Sequence, residues 1–212
     1  MVRQPKLRSF RNEITGIGMI EILVTLVILA IGMMGVASLQ YISALSHSDA
    51  MVRSLAVLVA EQLSERLRAA AKLSDKGDGL VVDNAYFVGD KFNFSGLSCT
   101  DSTKNDYNCF CLTIPASIPN CEVDTCTSAQ TAQYDIHQLT CAAVQTYPLT
   151  EVSLSCNDKD TTDMDNCSVG SRYNILIRWP VVPWQNKDLA VNSVCNSSMT
   201  ELYECVSMEL YL

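Results

Sequence analysis

Proline and glycine are sparse in this 212-residue chain, at six and nine residues. With 48% hydrophobic residues, that scarcity excludes collagen-like, proline-rich and intrinsically disordered architectures. Histidine is scarcer still: His47 follows an apolar segment and His137 lies in loop-like sequence. Neither accompanies a G-x-S-x-G nucleophile context, so each reads as plain surface. Phosphate-cradling glycine loops and dinucleotide fingerprints are missing as well, and neither enzymatic chemistry nor a cofactor is expected. Bases are outnumbered, 15 Lys and Arg against 23 Asp and Glu, for a net charge of −8. No basic cluster follows residue 16, which removes the electrostatic ground for direct nucleic-acid binding.

The charge is unevenly placed. Arg3, Lys6, Arg8 and Arg11 against Glu13 give the first 16 residues +3, so −11 falls on the remainder. From Ile22 to Leu39 the chain then carries 18 residues without a charge, interrupted only by Thr25 and Ser38. A helix of that length spans roughly 27 Å, enough to cross a bilayer's hydrocarbon. A removable secretory signal would have a shorter apolar stretch closed by an A-x-A-like site, and none follows at Val36 to Gln40. The positive-inside rule places the basic leader in the cytoplasm and everything after Gln40 outside. All ten cysteines, an even number, lie on that outer side, where thiols are oxidised.

Glu21 adjoins the apolar run at its cytoplasmic end, in Gly16-Ile17-Gly18-Met19-Ile20-Glu21. On physics alone such a carboxylate snorkels to the interface, helped by about 0.3–1 kcal/mol from a helix N-terminus. Its context resembles the prepilin signal of the type IV pilin and pseudopilin superfamily: a basic leader, Gly, four residues, Glu, then an uninterrupted apolar helix. The resemblance implies cleavage between Gly16 and Ile17 by a prepilin peptidase and methylation of the new α-amine. Glu21 becomes the fifth mature residue and pairs with an N-terminal amine during subunit assembly. The family usually has Phe or Met at the position of Ile17 and Ser or Thr at that of Gly18. A cut after Gly18 would leave Glu21 as the third residue and break the match. Gly32 and Gly35 are three apart, so they form no G-x-x-x-G dimer face.

Beyond the span the sequence turns amphipathic. Val52, Leu55, Val59, Leu63, Leu67 and Ala70 recur at steps of three and four, a helical packing face. Asp49 with Arg53 and Glu65 with Arg68 are spaced as surface pairs. With no proline between Ile17 and Pro115, one helix is expected over residues 17–73, ending before Gly77 and Gly79 and reaching ~85 Å. Its membrane or fibre-core half is 17–44 and its amphipathic half 45–73. Ala60, Glu61, Leu63, Glu65, Arg66, Arg68 and Ala69 resemble the post-membrane helix of PilV-type minor pilins, which leaves Glu65, Arg66 and Arg68 open as either helix surface or subunit contact.

Residues 74–212 read as a β-rich head. Tyr86 to Phe94, Phe110 to Ile114, Leu139 to Val144, Glu151 to Ser155 and Leu202 to Leu212 are expected strands. The clearest is Tyr173 to Trp179, with Tyr173, Ile175, Ile177 and Trp179 on one face and Trp179 in the core. A similar strand occurs near the end of PilV-type heads. The fold class is therefore α+β and, by resemblance, pilin-like: a long N-terminal helix laid on an antiparallel sheet with disulfide-stapled loops. The staples are Cys99, Cys109, Cys111, Cys121, Cys126, Cys141, Cys156, Cys167, Cys195 and Cys205. Short loops near strand ends favour Cys156 with Cys167 and Cys195 with Cys205. Cys109-x-Cys111 and Cys121-x4-Cys126 lack a nearby His and sit in an oxidising location, so no metal is expected there. Asp158, Asp160, Asp163 and Asp165 lack the EF-hand pattern and read as a solvated acidic loop rather than a calcium site. The sequons at Asn93, Asn166 and Asn196 carry little weight.

The resemblance implies a low-copy subunit of a type IV pilus, held in the inner membrane of a Gram-negative bacterium and then extracted into a fibre. Its implied partners are other minor pilins, the major pilin, the prepilin peptidase, the inner-membrane assembly machinery and membrane lipid before extraction. A type II secretion pseudopilin and a single-span periplasmic binding domain are the alternatives. Heads of the similar I-type pseudopilins are generally much smaller than the chain that follows Leu73.

Overall fold

A computed structural model describes residues 18–99, 103–162, 165–181, 192–196 and 202–212. It is α+β, with a long apolar N-terminal helix and an antiparallel sheet. The chain divides into two compact units, Met1–Ser48 and Asp49–Leu212. Helix α1 spans Met19–Ala69. Within the second unit its buried positions are Ala56, Val59, Ala60, Leu63, Ser64 and Leu67, the stripe that a 3.6-residue period lays on one face. Leu55 is half-buried at the edge of that stripe. Each fully buried leucine here stabilises the fold by about 1.5–3 kcal/mol.

The helix ends four residues short of the expected Leu73. Lys72 and Leu73 instead form strand β1 (Lys72–Leu73), paired antiparallel with β2 (Leu80–Val81). Gly77 and Gly79 therefore shape a hairpin rather than stop a helix. Gly77 has a φ of 70°, and a Cβ on Gly79 would collide with Val169.

Three segments expected as strands are helical. Tyr86 to Phe94 forms two 3-10 turns, Asn84–Phe87 and Gly89–Asn93, the first capped by Asp83, which accepts from the Ala85 N–H at 3.0 Å. Phe110 to Ile114 overlaps a π-helical turn, Tyr107–Cys111. Leu139 to Val144 belongs to helix α2 (Ser128–Thr146). A capping box starts α2: the Thr127 hydroxyl accepts from the Gln130 N–H, and the Gln130 side chain accepts from the Thr127 N–H. Ala132, Ile136, Leu139 and Ala143 then point into the core at helical spacing. His137, expected on the surface, lies buried on this helix.

Strands β3 (Glu151–Asn157), β4 (Arg172–Pro180) and β5 (Tyr203–Leu210) form one sheet with β4 in the centre. Val152, Leu154, Tyr173, Ile175, Ile177 and Trp179 face the core, as alternation requires. The same core contains the α1 stripe and α2. The opposite face is polar: the Arg178 guanidinium lies 2.6 Å from Glu151 and 5.5 Å over the Tyr203 ring, and Arg172 pairs with Glu209.

The ten cysteines form five disulfides: Cys99–Cys109, Cys111–Cys141, Cys121–Cys126, Cys156–Cys167 and Cys195–Cys205. None remains as a thiolate for metal. Within the loop closed by Cys156–Cys167, the Asp158 carboxylate accepts from the Ser168 N–H and from the hydroxyls of Ser168 and Ser171. Those hydrogen bonds hold Asp158 below the usual carboxylate range. The Thr162 hydroxyl and Lys76 draw Asp160 down to about 2. Asp163 lies outside the described residues.

One polar network joins α1 to α2 inside the second unit. Arg66 Nη1 sits 2.5 Å from Asp135 Oδ1, and the Tyr86 hydroxyl donates to Asp135 Oδ2 at 2.5 Å. Burial and that hydrogen bond hold the Tyr86 phenol above its ordinary value, so it stays a donor. Asp135→Ala is expected to destabilise the fold by about 2 kcal/mol in a urea titration, because it leaves a buried phenol without its acceptor. Glu65→Ala, removing the exposed partner of Arg68, is expected to cost no more than about 0.5 kcal/mol. Equal losses would show that burial does not govern these pairs.

Candidate functional site

The residues with the clearest functional pattern lie on the first half of α1. Gly16 and Ile17, between which the resemblance puts a cut, fall outside the described residues. Glu21 lies in the first turn, its N–H donating to the Gly18 carbonyl at 2.9 Å. Its side chain is exposed, and among the described residues no ion pair reaches its carboxylate. The N-terminal end of a helix dipole stabilises it only modestly.

The turns around and beyond Glu21 expose apolar side chains on every side. Ile20 is 75% exposed, Ile31 67% and Leu39 70%. A helix of this length and composition is able to cross a membrane, and the chain is compatible with a single-pass membrane protein. Thr25 does not break the surface, since its hydroxyl donates to the Ile22 carbonyl at 2.8 Å and needs no outside partner. Gly32 and Gly35 leave open space where a Cβ would stand. An all-round apolar helix has no surface for water and none for a single packing partner, so it belongs in lipid or among other apolar helices.

The second half presents different chemistry. Val59, Leu63 and Leu67 are consumed by the chain's own core. Arg66, its side chain still 39% exposed, is bound to Asp135, 69 residues away. Arg68 pairs with Glu65 at 2.7 Å, both exposed. Asp49 and Arg53 do not pair with each other; both lie near Glu204, whose carboxyl is raised by burial and Asp49 and lowered by Arg53. The missed element is α2 with Asp135, and the signal able to reveal it was Thr127-Ser128-Ala129-Gln130, the S/T-x-x-E/Q cap.

No family model, no curated protein and no solved structure matches this chain.

The apolar character predicts its own test. Ile28→Arg, near the middle of the uncharged run, is expected to lower membrane insertion by about 2.5–3.5 kcal/mol, read as the fraction of chains spanning in a glycosylation-mapping assay. Ser54→Arg, on an exposed polar position beyond the run, is expected to leave insertion unchanged. Equal insertion of Ile28→Arg and the parent would contradict a spanning role.

Proposed function

We propose that this chain is a minor pilin of a type IV pilus, a packing subunit rather than a catalyst. One observation carries the reading. A single helix joins an exposed, all-apolar half, opened by Glu21 in its first turn, to a half whose buried stripe belongs to an α+β core with five disulfides.

On this reading the leader is cut after Gly16 and Ile17 becomes the first mature residue, its amine methylated. Before assembly the apolar half spans the inner membrane with the N-terminus in the cytoplasm and the disulfide-bonded unit in the periplasm. Assembly transfers that half from lipid to the neighbouring helices of other minor pilins and the major pilin. Lipid already shelters the surface, so the transfer gains little from the hydrophobic effect and is driven by the assembly machinery. In the fibre the Glu21 carboxylate meets a terminal amine. Two unpaired buried charges would each cost several kcal/mol, so the pair sets the register of one helix against the next. The subunit helps initiate the fibre, sits near its tip and thereby influences adhesion and twitching motility.

Two measurements test this. N-terminal sequencing of the mature chain is expected to begin at Ile17 with a methylated amine, and Gly16→Lys to leave the leader in place; an intact leader on the parent would instead support a single-span receptor. Deletion of the gene is expected to remove twitching and surface fibres. Intact fibres with exoproteins trapped in the periplasm would transfer the assignment to a secretion pseudopilin.

A further inference from the structure

The three-stranded sheet has two unlike edges. In an antiparallel sheet, successive residues of a strand turn their N–H and C=O groups to opposite sides. The Val181 N–H donates to the Leu202 carbonyl at 2.8 Å, continuing the register that pairs Tyr173 with Leu210. Alternation from that bond directs the backbone groups of Glu204, Val206, Met208 and Leu210 to β4, and those of Tyr203, Cys205, Ser207 and Glu209 outward.

At Tyr203 both outward groups are already bonded. Its N–H donates to Asn196 Oδ1 at 2.7 Å and its carbonyl accepts from Asn196 Nδ2 at 3.0 Å, so one side-chain amide makes the two bonds of a neighbouring strand. Farther along, no partner among the described residues reaches the N–H or C=O of Cys205, Ser207 or Glu209. Ser207 and Glu209 are exposed, and the Cys195–Cys205 disulfide ties the strand to the segment that carries Asn196. The opposite edge is closed. By the same alternation β3 turns the backbone groups of Val152 and Leu154 outward, yet both residues are 5% exposed, and the 3-10 turn Gly89–Asn93 packs against that strand.

A row of unpaired N–H and C=O groups at strand spacing matches one kind of ligand, an extended backbone. Side chains narrow which one. Val206 and Met208 lie on the core face and are only half-buried, so apolar residues of an added strand would extend the core past its present margin. β5 carries two acids, Glu204 and Glu209, and no base. Glu209 meets Arg172 at 3.3 Å in an exposed pair, which is weak and leaves carboxylate lone pairs for a second donor. A second copy of β5 would bring acids to acids. We propose that the free edge of β5 binds, by strand addition, an extended segment of another protein in which apolar residues alternate with lysine or arginine. The inference is independent of whether the chain enters a fibre.

The test uses the full chain in uncharged detergent micelles. The probe is a fluorescein-labelled peptide of alternating valine and lysine, as long as β5 at eight residues, read by fluorescence anisotropy. It is expected to bind with high-micromolar affinity. The same peptide N-methylated at every residue cannot donate and is expected to bind about tenfold weaker, as is an all-lysine peptide, which keeps charge but has nothing to set beside Val206 and Met208. Glutamate in place of lysine is expected to weaken binding about threefold. Ser207→Pro removes an outward N–H and no bond of the β4 ladder, so it should weaken binding about tenfold while the thermal midpoint stays at the parent's. Absence of binding by the valine–lysine peptide, equal binding by any of the three control peptides, or parental affinity in Ser207→Pro would each overturn the proposal. So would dimerisation of the parent that Ser207→Pro abolishes, which would assign the edge to a second copy.

Discussion

Desolvation of one carboxylate constrains everything that the apolar half of α1 can do. Glu21 stands in the first turn of a helix whose later turns expose hydrocarbon in all directions. In lipid the charge can reach the interface at the helix end, where headgroups and water solvate it. Among packed helices it has no such exit, and a cation must come to it. The basic leader offers charge in the sequence, but on the proposed reading it is removed, and what replaces it is a single amine four residues before Glu21. A partner of opposite charge on an adjacent subunit turns a liability into a position marker, because only one axial offset brings the two groups together.

The second unit holds the other half of the same helix by a different principle. There the apolar positions narrow to a stripe, and Val59, Leu63 and Leu67 are buried against a sheet and α2 instead of being left for neighbours. Arg66 adds a directional contact, since a guanidinium on Asp135 that also accepts from Tyr86 fits one rotation of α1 about its axis. Five disulfides close the loops around this core and restrict its unfolded state. One end of the helix is thereby left for lipid or other chains, while the other is committed to its own fold.

The parts of this arrangement legible in the sequence were those with one dominant periodicity. The 3.6-residue stripe through Val59, Leu63 and Leu67 and the strict alternation of Tyr173, Ile175, Ile177 and Trp179 each point to a single element. Ala56, Ala60 and Ser64 share the buried helix face yet were not legible, because small side chains carry little hydropathy to signal their burial. Tyr86 and Phe92 are six residues apart, a spacing that strand alternation puts on one face, yet they lie in two separate 3-10 turns broken at Val88; the Asp83 cap is the local sign of the first. Leu139 to Val144 is a short apolar run that strand and helix explain equally, and the capping box nine residues upstream resolves it. The Arg66 contact was beyond any local pattern, since its partner lies 69 residues along the chain. Of the candidate assembly residues, Glu21 stands out in the sequence because its oddity is local, a charge directly against an uncharged run, and it lies in the first turn of α1. Gly16 and Ile17 lie outside the described residues.

The most direct measurement of the central claim is incorporation of Glu21→Gln and Glu21→Ala into fibres, scored against membrane-held subunit by quantitative immunoblotting of sheared pili. Pairing with a terminal amine predicts that both variants are cleaved and held in the membrane like the parent but enter fibres at a small fraction of its level, with Glu21→Gln no better than Glu21→Ala, since charge rather than shape is lost. Incorporation of either variant at the parental level would contradict the account.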